Sequence, residues 1–236
     1  MLIVAGARRL GQIALDLLYP MRCVGCGRSG ALYCVSCYAS ASLISPPVCP
    51  LCGQPGQRPG LCPGCQGHPL QIDGIRSVAA YEGALREAIH CFKYKYMRGL
   101  AEVLGGLLVT FWRANAFRVD AIVPVPLHRR RVRERGYNQS ALLALVLGRE
   151  VQLPVLADAL QRDRYTISQV RLGWQERRKN VADAFSCVDQ RLAGKDVLLV
   201  DDVCTTGSTL EACSIALRSG GARSVHALTL ARAQFA

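Results

Sequence analysis

The sequence predicts an α/β fold with a mostly parallel sheet and a smaller cysteine-rich module at its N-terminal end. Apolar strand-like segments alternate with helical segments between residues 75 and 230, an order typical of a parallel sheet flanked by helices. Eight cysteines form closely spaced pairs before residue 66. An apolar run at residues 197–200 leads directly into two aspartates and a turn rich in hydroxyl groups.

The length and composition of the chain limit what it can be. Its 236 residues are enough for one full α/β domain and a smaller module. Hydrophobic residues make up 50% of the chain, so a sizeable core is available. The formal net charge of +12 favours anionic partners such as phosphates or nucleic acid, although soluble basic proteins without such partners also exist. No segment has the length and apolar purity of a transmembrane helix.

Residues 1–19 are predicted to form an amphipathic helix that packs on the protein. Apolar side chains recur there at loosely helical spacing, and Arg8 and Arg9 lie inside the apolar run. A secretory signal would place its positive charge ahead of that run. A peripheral membrane contact is the alternative interpretation. Because no export signal is visible, we expect a cytoplasmic protein without stable membrane insertion.

Four Cys-x-x-Cys pairs predict two structural zinc sites within residues 20–70. Two thiolates separated by two residues can bind one Zn²⁺ from a tight turn, and a second pair completes a closed tetrahedral site. Disulfides are disfavoured without an export signal, and a redox role would not explain four pairs in one short segment. Sequential pairing is the most economical, while an interleaved arrangement stays open. The predicted ligands are Cys23, Cys26, Cys34, Cys37, Cys49, Cys52, Cys62 and Cys65.

The order of strand, two acids, turn and helix after residue 196 suits a phosphorylated ribose. The carboxylates of Asp201 and Asp202 can accept hydrogen bonds from two sugar hydroxyls. The turn can direct backbone N–H groups at a phosphate, with the positive end of the helix dipole behind it. An ordinary capped strand–loop–helix connection is the alternative, but adjacent aspartates repel each other and so favour a ligand. The turn consists of Thr205, Thr206, Gly207, Ser208 and Thr209.

This string resembles the phosphoribosyl-pyrophosphate (PRPP) motif of the type I phosphoribosyltransferases. The resemblance implies that residues 71–236 adopt the type I phosphoribosyltransferase fold. It also implies that Asp201 and Asp202 hold the ribose 2′ and 3′ hydroxyls and that residues 205–209 surround the 5′-phosphate. Mg²⁺ is implied as well, carried mainly by the diphosphate of PRPP, as Mg²⁺ usually prefers.

A second ligand-binding loop is predicted at Pro124, Val125, Pro126 and Leu127. Its two prolines fix φ and remove two backbone donors, so the turn is rigid. It resembles the diphosphate-binding loop of the same enzymes, and a rigid strand exit without a ligand is the alternative. The run that follows, residues 128–135, contains five arginines. Arginine suits bidentate phosphate contacts, although such a run can also be a solvated face or contact a nucleic-acid backbone.

Residues 162–180 form a long polar and basic segment between strand candidates. Segments of this length without an element of their own are often lids or disordered. We expect a cationic lid that closes over departing pyrophosphate and excludes water. The candidate catalytic residues on it are Arg164, Gln169 and Arg177. A mobile basic loop is the alternative.

Further motifs run along most of the chain. They occupy residues 81–83, 92–94, 123–128, 135–139, 164–169 and 177–180. With the cysteine pairs and the phosphate turn, they resemble the ComF family of competence-associated proteins. That family implies a zinc-binding head on a phosphoribosyltransferase domain and a link to the uptake of single-stranded DNA in natural transformation. The implied partners are PRPP, single-stranded DNA and proteins of the competence machinery.

Two functions therefore stay open at the level of the sequence. One is a phosphoribosyltransferase that uses Mg-PRPP as donor, with an acceptor that no motif identifies. The other is a non-catalytic protein that senses PRPP or a nucleotide and binds single-stranded DNA. A zinc-ribbon regulator of RNA or DNA is a third interpretation, but it leaves the phosphate turn unexplained.

Overall fold

A computed structural model describes residues 21–164 and 184–233 of the chain. The helix predicted for residues 1–19 lies outside these ranges, as do Gln169 and Arg177 of the predicted lid. Within the described ranges, no helix is both long enough and apolar enough to cross a lipid bilayer.

The described residues form six strands, seven α-helices and one 3₁₀ turn. The strands are β1 (Gly74–Ala80), β2 (Ala121–Pro124), β3 (Leu160–Arg162), β4 (Phe185–Cys187), β5 (Asp196–Cys204) and β6 (Ser224–Arg232). The helices are α1 (Val35–Ala39), α2 (Pro63–Gly67), α3 (Gly83–Tyr94), α4 (Leu100–Asn115), α5 (Arg129–Arg135), α6 (Gln139–Val151) and α7 (Ser208–Ser219), and the 3₁₀ turn is Gln190–Leu192.

Four strands form a parallel sheet in the order β1-β6-β5-β2. Helices α3, α4 and α6 cover one face, where Phe92, Leu104 and Leu147 are fully buried. Helix α7 and the antiparallel pair β3–β4 cover the other face, with Leu217 in the core. Because the four strands run in one direction, their carboxyl ends share one edge of the sheet, where ligands usually bind in α/β folds.

Strand β5 is longer than the sequence predicts. Val197 to Val200 are fully buried, as expected for a strand covered on both faces. We expected the strand to end at Val200, but it continues through the two aspartates to Cys204, which pairs with Arg232 of β6. The apolar residues Val155 and Leu156 predict the start of another strand, but the structure has only a single parallel bridge there, between Ile122 and Val155.

The sequence predicts a helix over residues 136–150, but two helices form in this region. Residues 129–135 form the short helix α5, which ends at Gly136 in a left-handed conformation with φ of 72°. Helix α6 begins after a break, at Gln139, and the side chain of Asn138 caps it by accepting a hydrogen bond from the Ser140 N–H. Glycine readily adopts the left-handed conformation that ends α5. Asparagine is a favoured residue for the N-terminal cap of a helix such as α6.

The cysteine-rich segment is hydrogen-bonded to the free side of β1. Residues 42–44, which we call the strap, run antiparallel to β1 with a bridge between Leu43 and Ala79. The N–H of Ala80 donates to the carbonyl of Ser42 at 2.8 Å, and the N–H of Ile44 donates to Val78 at 2.9 Å.

Candidate functional site

Eight cysteine thiols gather into two groups of four, as the spacing predicts. Within each group the sulfur atoms all lie within 4.8 Å of one another. The Sγ atoms of Cys23 and Cys37, and those of Cys26 and Cys34, are 3.6 Å apart. A tetrahedral zinc with Zn–S bonds of about 2.3 Å would place its sulfurs about 3.8 Å apart, so the groups fit structural Zn²⁺. The groups are Cys23, Cys26, Cys34, Cys37 and Cys49, Cys52, Cys62, Cys65.

The pairing is therefore sequential, and the interleaved arrangement is not the one found. At Cys23, backbone donors favour the thiolate that zinc requires. Burial opposes the charged form of Cys23, but backbone N–H groups, above all that of Cys34 at 3.3 Å, lower the pKa of Cys23 to about 6. With four thiols in each group, all positions around each zinc are filled, as in structural sites.

The turn between β5 and α7 depends on Gly207. This residue has a φ of 85°, in the left-handed region, and its carbonyl accepts the N–H of Glu211 at 2.8 Å. The hydroxyls of Thr206 and Ser208 lie 2.9 Å apart inside the turn. A methyl group on Gly207 would lie 3.0 Å from Ile75 and 3.1 Å from Leu70. The turn thus packs against residues that follow the second cysteine group.

Asp201 and Asp202 differ in their surroundings. One oxygen of the half-buried Asp201 carboxylate accepts the hydroxyl of Ser140 at 2.7 Å and the N–H of Asp202 at 2.9 Å. Burial, and then the charge of the Asp202 carboxylate, raises the pKa of Asp201 to about 6. Ser140 was not predicted as a site residue, because nothing in its local sequence marks it.

Asp202 is buried and paired with a lysine. The Lys93 ammonium lies 2.7 Å from Oδ1 of Asp202, and the two side chains are 20% and 8% exposed. Burial alone would lower the pKa of Lys93, but the Asp202 carboxylate raises it above its ordinary value. Sequence reasoning assigned Lys93 no role, although it lies in one of the motifs at residues 92–94.

The rigid loop at residues 124–127 lies beside β5 at the same edge. The N–H of Val125 donates to the carbonyl of Val200 at 2.9 Å. The side-chain amide of Asn138 donates to the carbonyl of Val125 at 3.0 Å. Since Asn138 and Ser140 belong to one turn, the start of α6 joins the loop to Asp201.

The arginines near the site differ in how exposed they are. Arg135 is buried, and its Nη1 donates to the Gln139 side-chain oxygen at 2.5 Å. Arg164 of the predicted lid is exposed. The half-buried Arg162, which the sequence analysis did not single out, stacks over Phe185 at 5.2 Å. Burial lowers the pKa of Arg162.

Comparison with known proteins supports both the cysteine-rich module and the domain with the parallel sheet. Residues 14–66 match the family described as the double zinc ribbon domain, and residues 139–234 match the phosphoribosyl transferase domain. The chain is 35% identical to the DNA utilization protein YhgH of Escherichia coli O157:H7 over 74% of its own length and 80% of that protein.

Two competence proteins are similar over more of the chain. Competence protein F of Haemophilus influenzae is 32% identical over 91% of this chain and 98% of its own length. Competence protein ComFC of Bacillus subtilis is 31% identical over 84% of this chain and 83% of its own length. The chain therefore belongs to the ComF family and joins a double zinc ribbon to a domain of the type I phosphoribosyltransferase fold.

Proposed function

We propose that this protein binds Mg-PRPP at the carboxyl edge of its sheet and transfers the phosphoribosyl group to an acceptor. One observation carries the proposal. The Asn138–Ser140 turn joins the loop at residues 124–127 to Asp201 of β5, and the turn at Gly207 continues from the same end of that strand. PRPP offers a pair of ribose hydroxyls, a 5′-phosphate and a diphosphate, one group for each of these three parts.

The proposed roles follow from the chemistry of each part. The carboxylates of Asp201 and Asp202 accept hydrogen bonds from the ribose hydroxyls. Residues 205–209 hold the 5′-phosphate in front of the N-terminus of α7, where backbone N–H groups and the helix dipole favour an anion. The backbone of residues 124–127 and nearby arginines take the diphosphate. Catalysis would come from positioning and from stabilising charge on the leaving group.

Magnesium is proposed to accompany the diphosphate. Mg²⁺ keeps several waters and binds phosphate oxygens with one or two carboxylates rather than a cage of protein ligands. The two aspartates supply carboxylate oxygens of the required kind at this edge. When bound, the ion would neutralise charge that develops on the departing pyrophosphate. Arg164, Gln169 and Arg177 remain the proposed lid residues that close over it.

The cellular setting is proposed from the relatives and from the cysteines. The names of the relatives refer to competence and to DNA utilization, so we propose a role in the uptake or use of DNA. None of the twelve cysteines, all of which lie in the described ranges, forms a disulfide. Structural zinc thiolates persist where thiols stay reduced, which favours the cytoplasm as the place of action.

A second candidate function is a non-catalytic protein that binds PRPP and single-stranded DNA. The observation in its favour is that Arg129, Arg130 and Arg133 of α5 are exposed. Exposed guanidinium groups neutralise phosphates and make nucleic-acid binding strongly dependent on salt. Salt-dependent DNA binding that persists in Asp201→Ala/Asp202→Ala would favour this candidate. Pyrophosphate release that the same change abolishes would favour the enzyme.

The central test is calorimetry of the zinc-loaded, folded protein with PRPP and excess Mg²⁺. We expect heat of binding for the wild type and none for Asp201→Ala/Asp202→Ala. Glu87→Ala is the matched control, because Glu87 is an exposed acid that pairs with Arg86. No heat with the folded wild type would contradict PRPP binding. Incubation with PRPP and a panel of bases, amines and oligonucleotides, followed by pyrophosphate assay, then separates an enzyme from a sensor.

A further inference from the structure

A small concavity lies next to the proposed ribose site. It has a volume of about 130 Å³ and lies where the end of α3 meets α5. Lys93 contributes to its wall and also contacts Asp202 at 2.7 Å. The concavity is therefore one side chain away from the carboxylates proposed to hold the sugar. Its lining residues are Lys93, Tyr94, Tyr96, Arg131, Glu134 and Arg135.

Two tyrosine rings at this concavity are open to solvent. The side chains of Tyr94 and Tyr96 belong to residues that are 58% and 66% exposed, and neither is part of the core. The Arg135 guanidinium lies 5.2 Å from the centre of the Tyr94 ring. Arg135 is itself buried and held by Gln139 at 2.5 Å. Tyr94 is thus an exposed ring beside a fixed cation.

Tyr96 is held in an unusual backbone conformation. Its φ is 55°, in the left-handed region that is uncommon for residues other than glycine. Its hydroxyl donates to the carbonyl of Glu134 at 2.8 Å, and its carbonyl accepts the N–H of Arg98 at 2.9 Å. A strained conformation persists only where the surroundings fix it. The ring of Tyr96 is therefore tied to α5 although it is exposed.

We propose that this concavity binds a nucleobase, which stacks on the rings of Tyr94 and Tyr96. Exposed aromatic rings are the common stacking surface for bases, since every base has a planar face. The Arg131 guanidinium on the same wall suits a phosphate that accompanies a base, while Lys93 is paired with Asp202 and Arg135 is held by Gln139. The proposal rests on the proposed function, because a base seated beside Lys93 would lie near the anomeric carbon of a ribose held at Asp202.

The base has two possible sources with the same chemistry. It is either a free base, which would be the acceptor of the phosphoribosyl group, or a base within a single strand. The test uses free adenine, guanine, cytosine, thymine and uracil by calorimetry, with and without Mg-PRPP. A fluorescein-labelled single-stranded oligonucleotide of mixed sequence is measured by anisotropy over a series of salt concentrations.

Two matched variants isolate the rings. Tyr94→Leu/Tyr96→Leu removes both rings, and leucine at residue 96 bears the same backbone strain as tyrosine. Tyr94→Phe/Tyr96→Phe keeps the rings and removes the hydroxyls. We expect the leucine variant to bind its probe about tenfold or more weakly, since one stacked base contributes roughly 1–3 kcal/mol. The phenylalanine variant should stay within about threefold of the wild type, and the salt slope should be unchanged in both, because phosphate contacts remain.

Each outcome bears on the proposal. Ring-dependent binding of free bases supports an acceptor base, and ring-dependent binding of the oligonucleotide alone supports a base within a strand. Equal affinity of wild type and leucine variant, or no binding of any probe, overturns the proposal. Mg-PRPP binding by the leucine variant distinguishes a failure of the proposed base site from a failure of the proposed PRPP site. If PRPP binds and the rings make no difference, the base site is wrong and the proposed function stands. If bases bind through the rings and PRPP does not bind, the proposed function fails alone.

Discussion

Arg232 joins the second zinc site to the strand that carries the aspartates. Its Nη1 donates to the carbonyl of Cys52 at 2.6 Å and lies 3.3 Å from Sγ of Cys204. Arg232 is only 6% exposed. The buried guanidinium of Arg232 therefore contacts both the backbone of Cys52, a predicted zinc ligand, and the side chain of Cys204, the last residue of β5.

Replacing Arg232 should loosen that zinc site. In Arg232→Met the Cys52 carbonyl loses its buried donor, which costs about 1–3 kcal/mol. We expect a lower melting temperature and faster loss of one of two zinc ions to a coloured chelator. Arg86→Met is the control, because Arg86 is exposed and its ion pair with Glu87 spans 3.4 Å. Identical zinc release in Arg232→Met and Arg86→Met would contradict the prediction.

Zinc content should follow the two cysteine groups. We expect two zinc ions per chain by metal analysis of the purified protein. Cys26→Ser and Cys62→Ser should each retain one ion, since each removes a ligand from a different group. Cys213→Ser changes a buried thiol outside both groups and should retain two. One ion or none in the wild type would refute two structural sites.

Breaking the pair between Lys93 and Asp202 should destabilise the fold. Lys93→Met leaves the buried Asp202 carboxylate without its counter-charge, and we expect a loss of about 3 kcal/mol in the free energy of unfolding. Lys93→Met/Asp202→Asn removes both charges and should recover most of that loss. Urea unfolding of the four proteins of this cycle measures the coupling. If the double variant were as unstable as the sum of the single ones, the pair would contribute no coupling.

The raised pKa of Asp201 predicts how stability changes with pH. Its folded-state pKa of about 6 exceeds the ordinary value of 3.8, so the folded protein binds this proton more tightly than the unfolded chain. The contribution to stability is fully present below the ordinary value and is lost as the pH rises through about 6.

Asp201→Asn tests this relationship, because its amide oxygen still accepts the hydroxyl of Ser140. The variant should melt at a higher temperature than the wild type above about pH 7, with the difference shrinking below about pH 4. Melting curves across that range measure the effect. Glu87→Gln is the control on an exposed carboxylate, and a wild-type advantage at high pH would contradict the sign. PRPP affinity of the wild type should also fall as Asp201 takes up its proton.

Gly207→Ala should weaken the turn at residues 205–209, which is proposed to hold the 5′-phosphate. The change places a side chain at a φ of 85°, and the new methyl group meets Ile75 and Leu70 at about 3 Å. The strain alone costs about 1–2 kcal/mol. Gly194→Ala shares the left-handed φ, at 70°, but has no atom within 4 Å of the new methyl. We expect both to lose stability, with only Gly207→Ala losing PRPP affinity in calorimetry. Equal PRPP affinity in the two variants would refute the packing argument.

The parts of the site that are local in the chain could be predicted from sequence. Each group of four predicted zinc ligands comes from two Cys-x-x-Cys pairs that are close together in the chain. Residues 201–209, which form the proposed ribose-phosphate site, are consecutive. Lys93 and Ser140 could not be predicted, because they reach the aspartates only through the packing of α3 and α6 on the sheet. A lysine in an amphipathic helix carries no local mark of its distant partner.

The differences between the predicted and the observed strands and helices have similar causes. Aspartate is disfavoured in strands, so the sequence suggested an end of β5 at Val200, but pairing with β6 carries the strand to Cys204. Strands β3 and β4 have three residues each, which is too short for a periodic pattern. Arginine is a good helix former, so α5 forms in a run that was interpreted only by its charge.

The strap at residues 42–44 also bears on whether the domain with the parallel sheet can be produced without the zinc ribbon. It occupies hydrogen-bonding groups of β1 that would otherwise form an open sheet edge, and open edges invite pairing with other chains. A fragment that began at residue 71 would expose the edge of β1. Such a fragment is therefore expected to aggregate more readily than the full chain. The domain with the phosphoribosyltransferase fold is therefore expected to stay soluble only when it is produced together with the zinc ribbon.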